Sequence, residues 1–161
     1  MENKLLFAKE IIKEAGAFIK ESLSKTITVE EKTAFDDLVT NIDKQTQDLL
    51  VSRIKSAYPS DNIFAEENGL VHNIKDGNVW VLDPIDGTVN FIVQQDNFCV
   101  MIAYYEDGQG KFGLIYNVMA DQLFYGGGQF DVYCNDKLLP AYKSRPLDRC
   151  LVASNGAMYA K

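Results

Sequence analysis

Histidine is nearly missing: His72 is the only one in 161 residues. Zinc sites draw mainly on His and Cys, so one histidine with no partner histidine weighs against a zinc centre. Cysteine is also scarce. Cys99, Cys134 and Cys150 are odd in number and none has CxxC spacing. That argues against a disulfide framework or a zinc knuckle and suits a reducing, cytoplasmic setting. Long apolar runs are lacking, which leaves no stretch able to span a bilayer as a helix. The first residues, "MENKLLFAKEIIKEAG", mix charges throughout and do not resemble a signal peptide. Positive charge is short as well, with 16 basic against 23 acidic residues and a net charge of −7. A chain of that sign lacks the electrostatic footprint for nucleic acid or an anionic membrane surface. It can still take an anion where a metal ion supplies the positive charge.

What is present is a core of ordinary size, with 47% hydrophobic residues, enough for one domain. Leu5, Ala8, Ile12, Ala15, Ile19 and Leu23 recur at three- and four-residue steps, which predicts an amphipathic helix over 3–24. The polar stretch "SKTITVEEKTAFDD" reads as a loop or a short hairpin. Thr40 followed by Asp43 resembles a capping box with Asp in place of Glu or Gln. The helix it opens carries Ile42, Thr46, Leu49, Leu50, Ile54 and Ala57 on its apolar face and stops at Tyr58-Pro59.

From residue 62 strands dominate. "NIFAEE" reads as a short strand ending in acid. "NVWVLD" is nearly continuous in apolar residues, which predicts a strand covered on both faces and ended by Pro84. "NFCVMIAYY" and "KFGLIYNV" are joined across "EDGQG". "DQLFYGGG" and "VYCNDKLL" follow, the latter turning at Asn135-Asp136, and "DRCLVASNG" reads as one more strand. Helices first and strands after predict an α/β layered fold, with helices on a large, mostly antiparallel sheet. The cysteines read as small buried hydrophobes, and His72 as a surface loop residue.

Three acidic groups lie just beyond apolar segments: Asp43, then Glu66-Glu67, then Asp83 with Asp86. Each alone has an ordinary structural reading as a first-turn acid, a solvated loop or a turn. Together they suggest a cation site. Asp83 and Asp86 flank a tight turn, and two carboxylates so close need a counter-charge to stay ionised. Oxygen donors without His or Cys favour Mg²⁺, Mn²⁺ or Ca²⁺. Gly87 lets the backbone approach a ligand closely, and a helix opening at "GTVNF" would turn free N–H groups towards a phosphate.

These motifs resemble those of the inositol monophosphatase family. "WVL" followed by "DPIDGTVNF" matches its first signature, "DLVTNID" at 37–43 its DLVT-x-x-D segment, and "FAEEN" at 64–68 its G-E-E segment. "FGLIYN", "QLFYGGG" and "VYCNDKLL" follow in family order. The resemblance implies an αβαβα sugar-phosphatase fold and a lithium-sensitive phosphomonoesterase working by metal-activated water attack. It implies two or three Mg²⁺ ions, with Mn²⁺ as a substitute and Ca²⁺ and Li⁺ inhibitory. Carried over, Glu66, Asp83 and the Ile85 carbonyl hold the first metal, and Asp83 with Asp86 the second. Gly87 and Thr88 contact phosphate, Asp43 and Thr88 orient water, Glu67 supports them, and Lys32 matches a lysine on a loop by the active site.

The resemblance also implies substrate and assembly. The substrate would be inositol monophosphate or a related small phosphate monoester, and the enzyme a homodimer. Alternatives are a phosphatase for 3′-phosphoadenosine phosphate, fructose 1,6-bisphosphate or NADP, or a non-enzymatic metal-binding module. A further Trp-Asp signature of the family has no counterpart here, where Trp80 is the only tryptophan. Residues 1–161 therefore read as an N-terminal αβ domain without the C-terminal αβα domain, an incomplete and weakly active form.

Overall fold

A computed structural model describes residues 1–24, 26–31, 38–141, 143, 144, 146 and 148. Lys32, Cys150 and the strand expected at "DRCLVASNG", apart from Asp148, lie outside the described residues.

Helix α1 spans Glu2–Ser22 and helix α2 spans Asn41–Ala57. Between them, β1 (Val29–Glu31) and β2 (Leu38–Thr40) pair antiparallel as a short two-stranded sheet. The large sheet holds β3 (Asn62–Ala65), β4 (Asn78–Asp86), β5 (Cys99–Glu106), β6 (Gln109–Asn117), β7 (Gln122–Gly127), β8 (Phe130–Cys134) and β9 (Lys137–Leu138), in that spatial order. β3 and β4 are parallel, and every later pair is antiparallel. The "EDGQG" segment is a tighter turn than expected. Asp107 and Gly108 both have positive φ, 48° and 80°, and the ladder resumes at once with Glu106 opposite Gln109.

Both helices lie on one face of this sheet. Alternate residues of the central strands point at them: Trp80 and Leu82, Ile102 and Tyr104, Phe112 and Leu114 are all buried. From α1, Ala8, Ile11, Ile12, Ala15 and Ile19 complete that core. Gly16 permits the close approach, because a Cβ there would lie 2.3 Å from Cε1 of Tyr116. On α2 the expected face is buried at Ile42, Thr46, Leu50 and Ile54, while Ala57 proves exposed and Gln47 joins the buried side.

The other face differs from expectation. Val81, Met101, Ala103, Gly113, Ile115 and Phe124 line an open hollow of about 480 Å³, with Asp83 on its wall. Ile115 is 45% exposed. The apolar run of β4 is thus covered by helices on one side only among the described residues.

β4 does not end at Pro84 either. Its ladder with β5 shifts register between Asp83 and Asp86, then resumes with Asp86 opposite Cys99. A bulge absorbs the proline, which has no N–H to give the ladder, and bends the strand where the two aspartates sit. β3, by contrast, stops at Ala65, and a 3₁₀ turn over Glu67–Gly69 follows its acidic end. Cys99 and Cys134 are half-buried rather than fully enclosed.

The opposite end of β4 is held by a different acid. Asp61, 2% exposed, accepts from Trp80 Nε1 at 2.9 Å, Asn78 Nδ2 at 3.1 Å and Lys4 Nζ at 2.5 Å. These donors, Lys4 first, hold its carboxyl below the usual carboxylate range although burial pushes the other way. The Lys4 ammonium also sits over the Tyr104 and Tyr58 rings, 4.2 and 4.9 Å from their centroids.

Candidate metal centre

α2 starts with the capping box foreseen in the sequence. The Thr40 hydroxyl accepts from the N–H groups of Ile42 and Asp43 at 3.1 and 3.3 Å, and the Thr40 N–H donates to Asp43 Oδ2 at 2.9 Å. The Thr40 hydroxyl itself donates to that same oxygen. These bonds fix Asp43, 1% exposed, with its second oxygen turned to Thr88. Thr40→Ala removes three of them and is expected to cost about 1–2 kcal/mol of stability by urea denaturation.

Thr88 opens helix α3, Thr88–Gln94, behind Gly87. Gly87 has φ +92°, and a Cβ there would lie 3.2 Å from the Asn97 carbonyl oxygen, so both backbone and space call for glycine. The Thr88 hydroxyl lies 3.2 Å from Asp43 Oδ1 and 3.1 Å from the Ile85 carbonyl oxygen. Its single proton serves one of them at a time. Asp43, Thr88 and Ile85 are thereby brought together, as the sequence motifs implied.

The remaining acids act on Asp83 through their charge. Burial pushes its carboxyl up to about 8, assisted by the charges of Glu66, Asp86 and Asp43 and by a hydrogen bond with Glu66. One oxygen, Oδ1, is buried with no hydrogen-bond partner. Burial also raises Asp43, outweighing the bonds from Thr40 and Thr88. The contrast with Asp61 is direct: the buried Asp61 is met by three donors, the part-buried Asp83 by the charges of three acids.

That surplus of negative charge fits a hard cation. Glu66, Asp83, Asp86 and the Ile85 carbonyl offer only oxygen donors, the set that suits Mg²⁺, Mn²⁺ or Ca²⁺. Among the described residues, no three acidic, His or Cys side chains are already gathered into a cage. Repulsion between carboxylates opposes such gathering until a counter-ion arrives.

Two neighbours were not foreseen. Cys99 faces Asp86 across the β4–β5 ladder, and burial together with the Asp86 and Asp83 charges raises its thiol, which keeps it protonated. The Asp107-Gly108 turn sets Cys99 opposite Asn117 on β6 and carries no signal for its pairing with β4. The second is Gln47, whose amide bonds the main chain of Glu67 at 2.6 and 2.8 Å. A polar residue four positions after Asp43 on the same helix was its only signal. Glu67 itself is 5% exposed, while Glu66 reaches solvent. His72 stays in its loop, where its Nε2 can donate to the Asp76 carbonyl oxygen at 3.0 Å. No described helix is long and apolar enough to cross a membrane.

Comparison with known proteins identifies the family. The chain is 41% identical over 150 residues to the inositol-1-monophosphatase of Bacillus subtilis, covering 92% of this chain and 56% of that protein. It is 31% identical to a fructose-1,6-bisphosphatase/inositol-1-monophosphatase of Thermotoga maritima, over 96% of this chain and 59% of that one. Inositol monophosphatase II of Staphylococcus aureus superposes with a TM-score of 0.87 at 34% identity, over 100% of this chain and 58% of its own. The chain therefore spans somewhat over half the length of these relatives. The family model for inositol monophosphatases matches residues 1–158, and the chain belongs to the inositol monophosphatase family.

Proposed function

We propose that these residues form the metal-binding part of a Mg²⁺-dependent phosphomonoester hydrolase. The observation that carries the reading is Asp83: a part-buried carboxyl with an unpartnered oxygen, surrounded by Glu66, Asp86 and Asp43. Glu66, Asp83 and the Ile85 carbonyl would hold one ion, and Asp83 with Asp86 a second. Mn²⁺ would substitute for Mg²⁺, while Ca²⁺ and Li⁺ would inhibit. When bound, the ions would supply charge neutralisation at the phosphate and acidify water for in-line attack. Asp43 and Thr88 would orient that water, since the pair already hydrogen-bond each other beside the Ile85 carbonyl. The Gly87 and Thr88 amides would steady the phosphate, with Glu67 in support and Lys32 as a substrate contact.

Inositol monophosphate is the substrate we favour, because the relative from Bacillus subtilis is named for that activity. The relative from Thermotoga maritima is named also for fructose 1,6-bisphosphate, which makes it the second substrate to assay. Other sugar and nucleotide phosphates complete the panel, and the active species is proposed to be a homodimer. Inorganic phosphate release is expected to require Mg²⁺, to stop on addition of EDTA and to be lost in Asp86→Asn. Phosphate release undiminished by EDTA or by Asp86→Asn would refute the reading.

A further inference from the structure

α2 presents three polar side chains to the interior, Asp43, Thr46 and Gln47, of which Asp43 and Gln47 are 1% and 0% exposed and reach the acidic segments. Four residues make about one helical turn, so both lie on the same face. Asp43 reaches towards Thr88. Gln47 reaches the other acidic segment: its Nε2 donates to the Glu67 carbonyl at 2.6 Å, and its Oε1 accepts from the Glu67 N–H at 2.8 Å. One side chain thus satisfies both backbone groups of one residue, in a site without solvent.

The segment so clamped is the turn that carries the acids. Two other backbone bonds tie it down, Ala65 N–H to the Leu70 carbonyl at 2.9 Å and Glu66 N–H to the Leu82 carbonyl at 3.2 Å. The second attaches Glu66 to the residue before Asp83. Gln47 attaches the next residue, Glu67, to α2. Glu66 therefore sits between a fixing point on β4 and one on the helix that supplies Asp43.

We propose that Gln47 is a positioning residue of the metal centre, whose amide sets the main chain at Glu66-Glu67 so that the Glu66 carboxylate meets Asp83. This rests on the reading of Glu66 and Asp83 as metal ligands. The chemistry demands an amide. The position must donate and accept at once where water cannot substitute. A glutamate there could donate only while protonated; once ionised it would accept only and add negative charge beside an acidic cluster. A methionine would fill the space and remove both bonds to the Glu67 main chain. Supporting contacts of this kind typically alter metal affinity about 10–100-fold.

The test is Mn²⁺ binding to the 161-residue chain, followed by loss of the free-ion electron paramagnetic resonance signal. Gln47→Met should weaken binding about 10–100-fold while circular dichroism reports a folded chain. In a Glu66→Gln background the same substitution should change affinity less than about threefold, because the carboxylate it positions is gone. Equal losses in both backgrounds would reduce Gln47 to general packing, and unchanged affinity in folded Gln47→Met would overturn the proposal. Should Gln47→Met fail to fold, the wild-type chain decides by nuclear magnetic resonance. The Gln47 side-chain amide should shift during an Mg²⁺ titration with the same midpoint as the Glu66 backbone amide, and a side-chain signal unmoved at saturation would overturn the proposal. A wild-type chain that binds no Mn²⁺ refutes the ligand reading itself and takes this proposal with it.

Discussion

Asp83→Asn is expected to act in opposite directions on stability and on metal binding. Without metal at about pH 9, the variant should melt about 3–6 °C above the wild type, a gain of about 1–2 kcal/mol after allowing for solvent screening at this part-exposed group. At about pH 6 roughly half of that gain should remain, because the wild-type chain must still take up a proton there to fold, and only below about pH 4 should the gain vanish. An asparagine N–H₂ can also donate to Glu66 where the protonated carboxyl did. Mn²⁺ affinity should fall at least about 100-fold at about pH 8 and above, and by less as pH falls, since the carboxylate proposed for both ion sites loses its charge. Differential scanning calorimetry and Mn²⁺ titration read the two effects. A variant less stable than wild type at high pH would show that Asp83 contributes a favourable contact, and the cation-site reading would lose its main support.

The second large effect is on pH. Asp83 is raised from 3.8 to about 8. The folded chain thus keeps a proton that the unfolded chain has already released. Its contribution to metal-free stability is whole below about pH 4 and is lost as pH rises towards about 8. A cation must displace that proton to bind. Affinity for Mg²⁺ or Mn²⁺ should therefore climb about tenfold per pH unit up to about pH 8 and level off above it. In Asp83→Asn this slope should flatten. Calorimetric titration in buffers of different ionisation heat would count the proton released. A flat affinity between about pH 6 and about pH 8 would mean that Asp83 is not the group displaced.

What the sequence made legible was local or motif-bound. The capping box at Thr40 and Asp43 lies within four residues, so spacing sufficed. The acids at 43, 66, 83 and 86 stood out through their order along the chain and their match to family motifs. The features that escaped depend on distant partners. Whether a ladder resumes beyond Pro84 is decided by Cys99 on another strand. Gln47 takes its role from Glu67, twenty residues away. Asp61 reads as an ordinary loop acid in "YPSDN" until Lys4, Asn78 and Trp80 are brought to it. The apolar run of β4 correctly announced a strand, yet it could not say that Val81 and its neighbours would face an open hollow.

The mixed character of the large sheet bears on how the centre comes into being. From β4 to β9 each strand pairs antiparallel with the next one in the chain, through short loops from β5 onward at small entropic cost and through residues 87–98, with α3, between β4 and β5. β3 joins β4 in parallel and must be carried back across residues 66–77 to do so, a slower kind of pairing. Asp83 and Asp86 belong to the first unit, Glu66 follows the late strand, and Asp43 sits on the helix before it. The acids therefore meet at the seam between the part of the sheet that can close early and the part that must wait. Their mutual repulsion falls on the step that joins the two, and a cation present at that moment would act on folding as well as on the finished site.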